Sequence, residues 1–221
     1  FSGKPGPNYW QLETDFTINA SLDPATQTIT GAEKINMHNN SKDDLKTIAL
    51  RLDHNIFRPE AQRGGSTPAE ATDGMVLTSL KVDGQIVDLN ATSTGRPTPS
   101  SGKPTIFGLT QTVAMINLVN PVKAGTTALI EIEWRTKLPG GTIGRGHRMT
   151  QRFDSKLFQP TQWFPRLAKY DDLRGWETSP YLGPSEFYNN FGKFDVKITV
   201  PGGWIVSGTG VLQNPKEVLT E

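Results

Sequence analysis

Apolar side chains occupy every second position near the start of the chain: Phe16, Ile18, Ala20 and Leu22 alternate with Thr17, Asn19 and Ser21. A period of two places them on one face of a β-strand. Asp23-Pro24 then presets a turn, and the return arm carries Ile29, Gly31, Glu33, Ile35 and Met37 on one side, which predicts a hairpin. Glu33 is the odd member of that row. An acid on an apolar face requires a partner or an edge position. Ile48, Leu50 and Leu52 repeat the period. The runs 76–82 and 86–89 flank Asp83-Gly84, the signature of a type I′ hairpin turn, which needs φ above zero at both central residues. Further strands are predicted at 113–119, 128–134, 194–200 and 204–209, the last two separated by Pro201-Gly202-Gly203. Helical periodicity is scarce. The 22 Gly and 16 Pro fall between the short apolar runs, so the pattern predicts an all-β, multi-sheet, sandwich-like domain with long irregular loops.

Two long loops, 58–73 and 92–105, read as surface excursions. Residues 150–192 differ again, because alternation is lost and aromatics crowd together, which predicts an irregular region held by aromatic packing and the leading candidate for a functional surface. Composition narrows the chemistry. The 23 basic and 22 acidic residues are interspersed and leave no basic stripe for nucleic acid. Apolar stretches are too short for a membrane span. Without Cys there is no thiolate ligand or nucleophile. His38, His54 and His147 do not form a helical zinc-binding pair, and no Ser lies in a Gly-x-Ser-x-Gly elbow. Gly140-Gly141-Thr142-Ile143-Gly144-Arg145-Gly146 lacks the ending of a phosphate loop and reads as a hairpin tip. Asp171 and Asp172 point opposite ways on an extended chain; the plainer role for Asp171 is a buried anchor for backbone N–H groups. Trp163, Trp176 and Tyr181 admit two readings, a sugar-stacking platform or packing beneath the irregular region, and packing is the simpler. Asn19, Asn39 and Asn90 begin glycosylation-type triplets, which are short enough to arise by chance.

The segment 158–210 contains Phe158-Gln159-Pro160-Thr161-Gln162-Trp163-Phe164-Pro165-Arg166, Tyr170-Asp171-Asp172, Gly175-Trp176, Pro180-Tyr181-Leu182-Gly183, Glu186-Phe187-Tyr188, Phe191-Gly192-Lys193-Phe194-Asp195-Val196 and Ile205-Val206-Ser207-Gly208-Thr209-Gly210. Together with Tyr9-Trp10-Gln11, Leu22-Asp23-Pro24, Thr30-Gly31-Ala32-Glu33 and Leu50-Arg51-Leu52-Asp53-His54-Asn55, it resembles the amino-terminal domain of bacterial zinc metallopeptidases of the aminopeptidase N family. The resemblance covers nearly the whole chain. It implies a saddle-shaped β domain, here residues 1–221 as a single unit, that precedes a thermolysin-like catalytic domain. That second domain carries the His-Glu-x-x-His helix, a distal Glu, a Gly-x-Met-Glu-Asn loop and a transition-state Tyr, none of which is in this sequence. The chain is therefore expected to bind no cofactor itself, with zinc held in the catalytic domain, and to be inactive alone. Its implied partners are the catalytic domain of the same polypeptide and a peptide substrate, in a periplasmic or secreted setting. The absent initiating Met fits a processed or trimmed form. In the family a Gln or Glu of this domain hydrogen-bonds the substrate's terminal amine. Counting back twelve from Asp171 places that role on Gln159, and a loop insertion would shift it to Gln162. The alternative from a different class is a stand-alone β-sandwich module that binds glycans or proteins through Trp163, Trp176 and Tyr181.

Overall fold

The computed structural model describes residues 2–64, 70–90, 102–140, 150–153, 156–185 and 187–219. Among these the strands are β1 (Glu13–Asp23), β2 (Thr28–His38), β3 (Leu45–Arg51), β4 (Met75–Val82), β5 (Gln85–Ile86), β6 (Thr105–Phe107) and β7 (Val113–Val122). There follow β8 (Thr127–Lys137), β9 (Gln151–Phe153), β10 (Leu157–Gln159), β11 (Arg166–Leu167), β12 (Tyr170–Asp171), β13 (Gly175–Trp176) and β14 (Phe194–Thr199). A 3-10 turn spans Asp53–Phe57, and a single helical turn spans Pro215–Val218.

The first hairpin forms as the alternation predicts. All eleven residues of β1 pair antiparallel with β2, from Glu13 with His38 to Asp23 with Thr28. The Asp23 carboxylate closes the turn, accepting the Ala25 N–H at 2.9 Å and the Thr26 hydroxyl at 2.7 Å. On its other side β2 pairs along its full length with β8. The resulting sheet runs β14-β1-β2-β8-β4-β5, and a second runs β11-β3-β7-β6. Asp83 and Gly84 take φ of 48° and 76°, as the type I′ turn between β4 and β5 demands. The arm predicted at 86–89 shortens to the two residues of β5, although Val87 still returns its N–H to Leu80 at 2.9 Å.

One apolar face of each sheet meets the other. Phe16, Ile18, Ile35, Met37, Ile130, Ile132 and Trp134 of the large sheet share a buried core with Ile48, Leu50, Ile106, Ala114, Ile116 and Leu167 of the small one. Gly31 and Trp134 are register partners on β2 and β8. The missing side chain of Gly31 is what lets the indole lie across the strand, since a Cβ there would sit 2.4 Å from the ring.

Two features depart from the expectations. Residues 204–209 are not a strand, because no described strand offers them a ladder partner; the Trp204 ring packs on Phe158 instead, centroids 5.5 Å apart. Glu33 has neither of the two situations its position requires. It is only 3% exposed on a central strand between Ile18 and Ile132, and neither carboxyl oxygen has a hydrogen-bond partner. Burial pushes its pKa well above the ordinary carboxylate value, so the group resolves the conflict by keeping its proton.

Two outcomes follow from this packing. Gly31→Ala forces Trp134 to move and should cost about 1–3 kcal/mol in denaturant unfolding. For Glu33 the folded pKa lies above the unfolded value of 4.5. Between those two values the folded chain holds a proton that the unfolded chain has released, so this group removes stability as pH rises through that window. Glu33→Leu should therefore be more stable than the parent by a margin that widens as pH rises above 4.5, no more steeply than about 1.4 kcal/mol per pH unit. A margin independent of pH would show that Glu33 does not hold its proton.

Candidate functional site

The short link between β10 and β11 carries Gln162 and follows directly on Gln159, the last residue of β10, so both glutamines singled out by the sequence lie at it. It is fixed from below by residues distant in the chain. His54, fully buried in the 3-10 turn, brings Nε2 to 2.8 Å from the Thr161 carbonyl oxygen, which can only accept, so Nε2 carries the hydrogen. Its Nδ1 faces the Thr136 hydroxyl at 2.9 Å, and its ring meets Phe57 edge to face. The Thr150 hydroxyl also donates to the Thr161 carbonyl at 2.8 Å and accepts the Thr161 N–H at 3.1 Å. Two residues on, the Trp163 carbonyl accepts Trp134 Nε1–H at 3.1 Å. The 3-10 turn with Thr150, and strand β8, thereby hold the link at two carbonyls.

Gln159 and Gln162 flank the held Thr161. Gln159 ends β10 in an exposed position and pairs in register with Gln151. Gln162 is half-buried and has a φ of 53°. A side chain in the left-handed region costs of order 1–2 kcal/mol, which the flanking carbonyl anchors supply. The two residues are thus neighbours on one fixed link, with different exposure.

The aromatic region beyond is tied to the same 3-10 turn. Asp53, buried beside His54 in sequence, accepts from Arg51 at 3.2 Å and from Arg166, whose guanidinium also reaches Asn189 and lies over the Phe187 ring. Asn190 donates to the carbonyls of Leu167 and Ala168, and Thr14 N–H takes the Phe191 carbonyl at 2.9 Å. Lys169 is buried with its ammonium facing the rings of Tyr188 and Phe191; burial lowers its pKa against the pull of Asp171. Asp171 does anchor its loop, accepting N–H groups from Leu173 and Arg174 at 3.0 and 2.7 Å. It is half-buried, however, rather than buried. Partial burial works to raise its pKa, but those N–H groups and the Tyr188 hydroxyl outweigh it and hold the carboxyl below the usual range.

The sugar-stacking platform is not assembled. Tyr181 is 1% exposed, stacks on Phe187 and donates its hydroxyl to Gly183. Trp176 turns inward to give Nε1–H to the Thr47 carbonyl, and Trp163 packs between Trp134 and Phe164. Their packing reading is the one the structure supports. Asn39 is likewise buried, its amide donating to the carbonyls of Asp43, Val122 and Lys123, which closes that triplet to modification. His38 pairs with Asp15 and Thr127, away from the His54 cluster, and His147 lies outside the described residues, as do 141–146 of the glycine-rich run and 92–101 of the second long loop. Among the described residues no three His, Asp or Glu are placed to hold a metal, and no helix is long and apolar enough to cross a membrane.

What the sequence did not disclose is the His54-Thr136-Thr150-Thr161 cluster. Its members lie 82, 96 and 107 positions from His54, and the only local hint is the polar triplet Asp53-His54-Asn55 closing an apolar run.

No family model and no curated protein matches the chain. Solved structures that it resembles are those of two-domain M1 zinc metallopeptidases. A mutant bound to L-arginine aligns over 87% of this chain at 12% identity with a TM-score of 0.44. A mutant from Deinococcus radiodurans bound to a Tyr-Ser-Ala substrate aligns over 86% at 12% identity, also at 0.44, and another mutant from that organism over 86% at 13% and 0.43. In all three the chain spans 33% of the length of the matched protein.

Removing the Thr150 hydroxyl tests the clamp. Thr150→Val leaves the Thr161 N–H without its acceptor and should cost about 1–3 kcal/mol, with faster hydrogen exchange at the Thr161 amide. His54→Ala should act in the same direction, while Gln159→Ala should leave that amide protected.

Proposed function

We propose that this chain is the non-catalytic amino-terminal β domain of a zinc-dependent aminopeptidase. It packs on a catalytic domain supplied by further polypeptide and helps to seat the amino end of a peptide substrate. The observation that carries the reading is the run from Phe158 to Arg166, whose residues resemble the corresponding segment of that family and whose Thr161 is held by His54 and Thr150. A residue that must meet a substrate group within a few tenths of an ångström needs such a rigid mount.

The chemistry of a glutamine suits the task. Its amide oxygen accepts a hydrogen bond from the substrate ammonium without adding charge, which selects a free amino end. Gln159, the more exposed of the two, takes this role, and Gln162 is the second candidate on the same link. Zinc, held by the catalytic domain, supplies the activation of water. This chain's part is to bind the ammonium, orient the peptide and wall off one side of the cleft.

The test uses the peptidase reassembled from this chain and its zinc domain. Gln159→Ala, or Gln162→Ala if the link is shifted, should lower kcat/KM by about 1.5–3 kcal/mol of transition-state binding, and the loss should vanish for substrates with an acetylated amine. Unchanged constants in both variants remove the pair from the site. Peptide hydrolysis by this chain alone would overturn the assignment itself.

A further inference from the structure

Lys169 is a buried cation that the peptidase reading leaves unused. It is only 3% exposed, and among the described residues its ammonium has neither an ion pair nor a hydrogen bond. Arg166, three residues earlier, shows the ordinary solution for a buried cation, a carboxylate at Asp53. The acid nearest Lys169 in sequence is already engaged, since Asp171 accepts from the N–H groups of Leu173 and Arg174 and from the Tyr188 hydroxyl. In place of an anion the ammonium faces Tyr188 and Phe191, 5.7 and 5.9 Å from the ring centres. Those distances lie at the outer limit of about 6 Å for a cation–π contact, so the rings replace little of the lost hydration. Burial accordingly lowers the pKa, and the pull of Asp171 does not offset it. The stem is mounted firmly. The Lys169 carbonyl accepts the Glu177 N–H at 2.8 Å, the Ala168 N–H bonds to the Ala49 carbonyl at 2.8 Å, and Asn190 donates to the carbonyls of Leu167 and Ala168. The fold seals off Arg166 Nε and Asn190 Oδ1 without partners, but not Lys169 Nζ, which keeps a narrow contact with solvent.

An amine that is fixed in place, poorly hydrated and without a counter-ion is a nucleophile. We propose that Lys169 is a carbonyl-modification site, which condenses with a small, uncharged aldehyde to form an imine. The lone pair of the neutral amine adds to the aldehyde carbon, and one amine proton passes to the oxygen as the C–N bond forms. Loss of water then breaks the C–O bond, carries off the second amine proton and leaves C=N. Nothing is oxidised or reduced. The imine nitrogen is neutral, so the reaction removes a buried charge that the aromatic collar serves poorly. The same surroundings set the class of aldehyde. So narrow an opening admits a small one, and the two rings favour one without charge.

This goes beyond the peptidase reading and is tested apart from it, with no zinc domain and no peptide. The full 221-residue chain is treated with propanal, the imine is trapped with cyanoborohydride, and alkylated lysines are located by mass spectrometry. At neutral pH Lys169 should be alkylated severalfold faster than the exposed Lys46 and Lys156, with its half-maximal rate below pH 10.5, the value of an ordinary lysine. Asp171→Asn keeps an oxygen for the Leu173 and Arg174 N–H groups but removes the opposing charge, so the rate profile should move to lower pH. Phe191→Ser admits water to the ammonium and should move the profile to higher pH. Lys169→Arg should abolish the fast alkylation while keeping the parent's circular dichroism. Alkylation of Lys169 no faster than that of Lys46, alkylation only under conditions that unfold the chain, or a profile indifferent to both Asp171→Asn and Phe191→Ser would each overturn the proposal.

Discussion

The unbroken register of β1, β2 and β8 governs the rest of this structure. Each strand contributes eleven residues, and each ladder runs its full length without a bulge. Because side chains alternate with a period of two, a slip of one residue would turn every core residue of the slipped strand to the opposite face. The register therefore decides at once that Trp134 lies over Gly31, that Ile35 and Ile130 meet in the core, and that Glu33 is carried inside with its apolar neighbours. An acid in that row is tolerated because the cost of one protonated carboxyl is smaller than that of losing the apolar face around it.

The same register mounts the candidate site. Trp134 and Thr136 sit on β8; the indole N–H holds Trp163, and the Thr136 hydroxyl meets His54. Strand alternation buries both residues on one side of β8, so the link is held at Trp163 directly from this strand and at Thr161 through His54, which leans on it. Binding residues are better mounted on such elements than on a free loop.

The strands were legible where one rule acted alone. Period-two alternation located β1, β2, β7, β8 and β14 within a few residues, and Asp83-Gly84 located its turn, since these signals are local to the chain. The run at 204–209 alternates as well, but a strand also requires a ladder partner, and alternation carries no information about one. In the aromatic region, sequence favoured packing over a sugar-stacking platform for Trp163, Trp176 and Tyr181 without showing what they pack on. The site was partly legible. Gln159 and Gln162 came from the resemblance, whereas the hydroxyls that fix their link came from residues joined only by folding, for which a single sequence offers no spacing rule.

The aromatic region is fastened at several separate points by side chains: Arg166 to Asp53, Asn190 to two carbonyls of β11 and its neighbour, Trp176 to the carbonyl of Thr47. Its exposed tip is Leu173, 86% open to solvent on the turn capped by Asp171. Fastenings lie on both sides of that tip, so chain continuity contributes little to holding the two halves in place. A cut at the tip would leave two pieces that stay clasped on the body. The turn is accordingly a natural port where foreign sequence can be spliced in without disturbing the link beneath the glutamines.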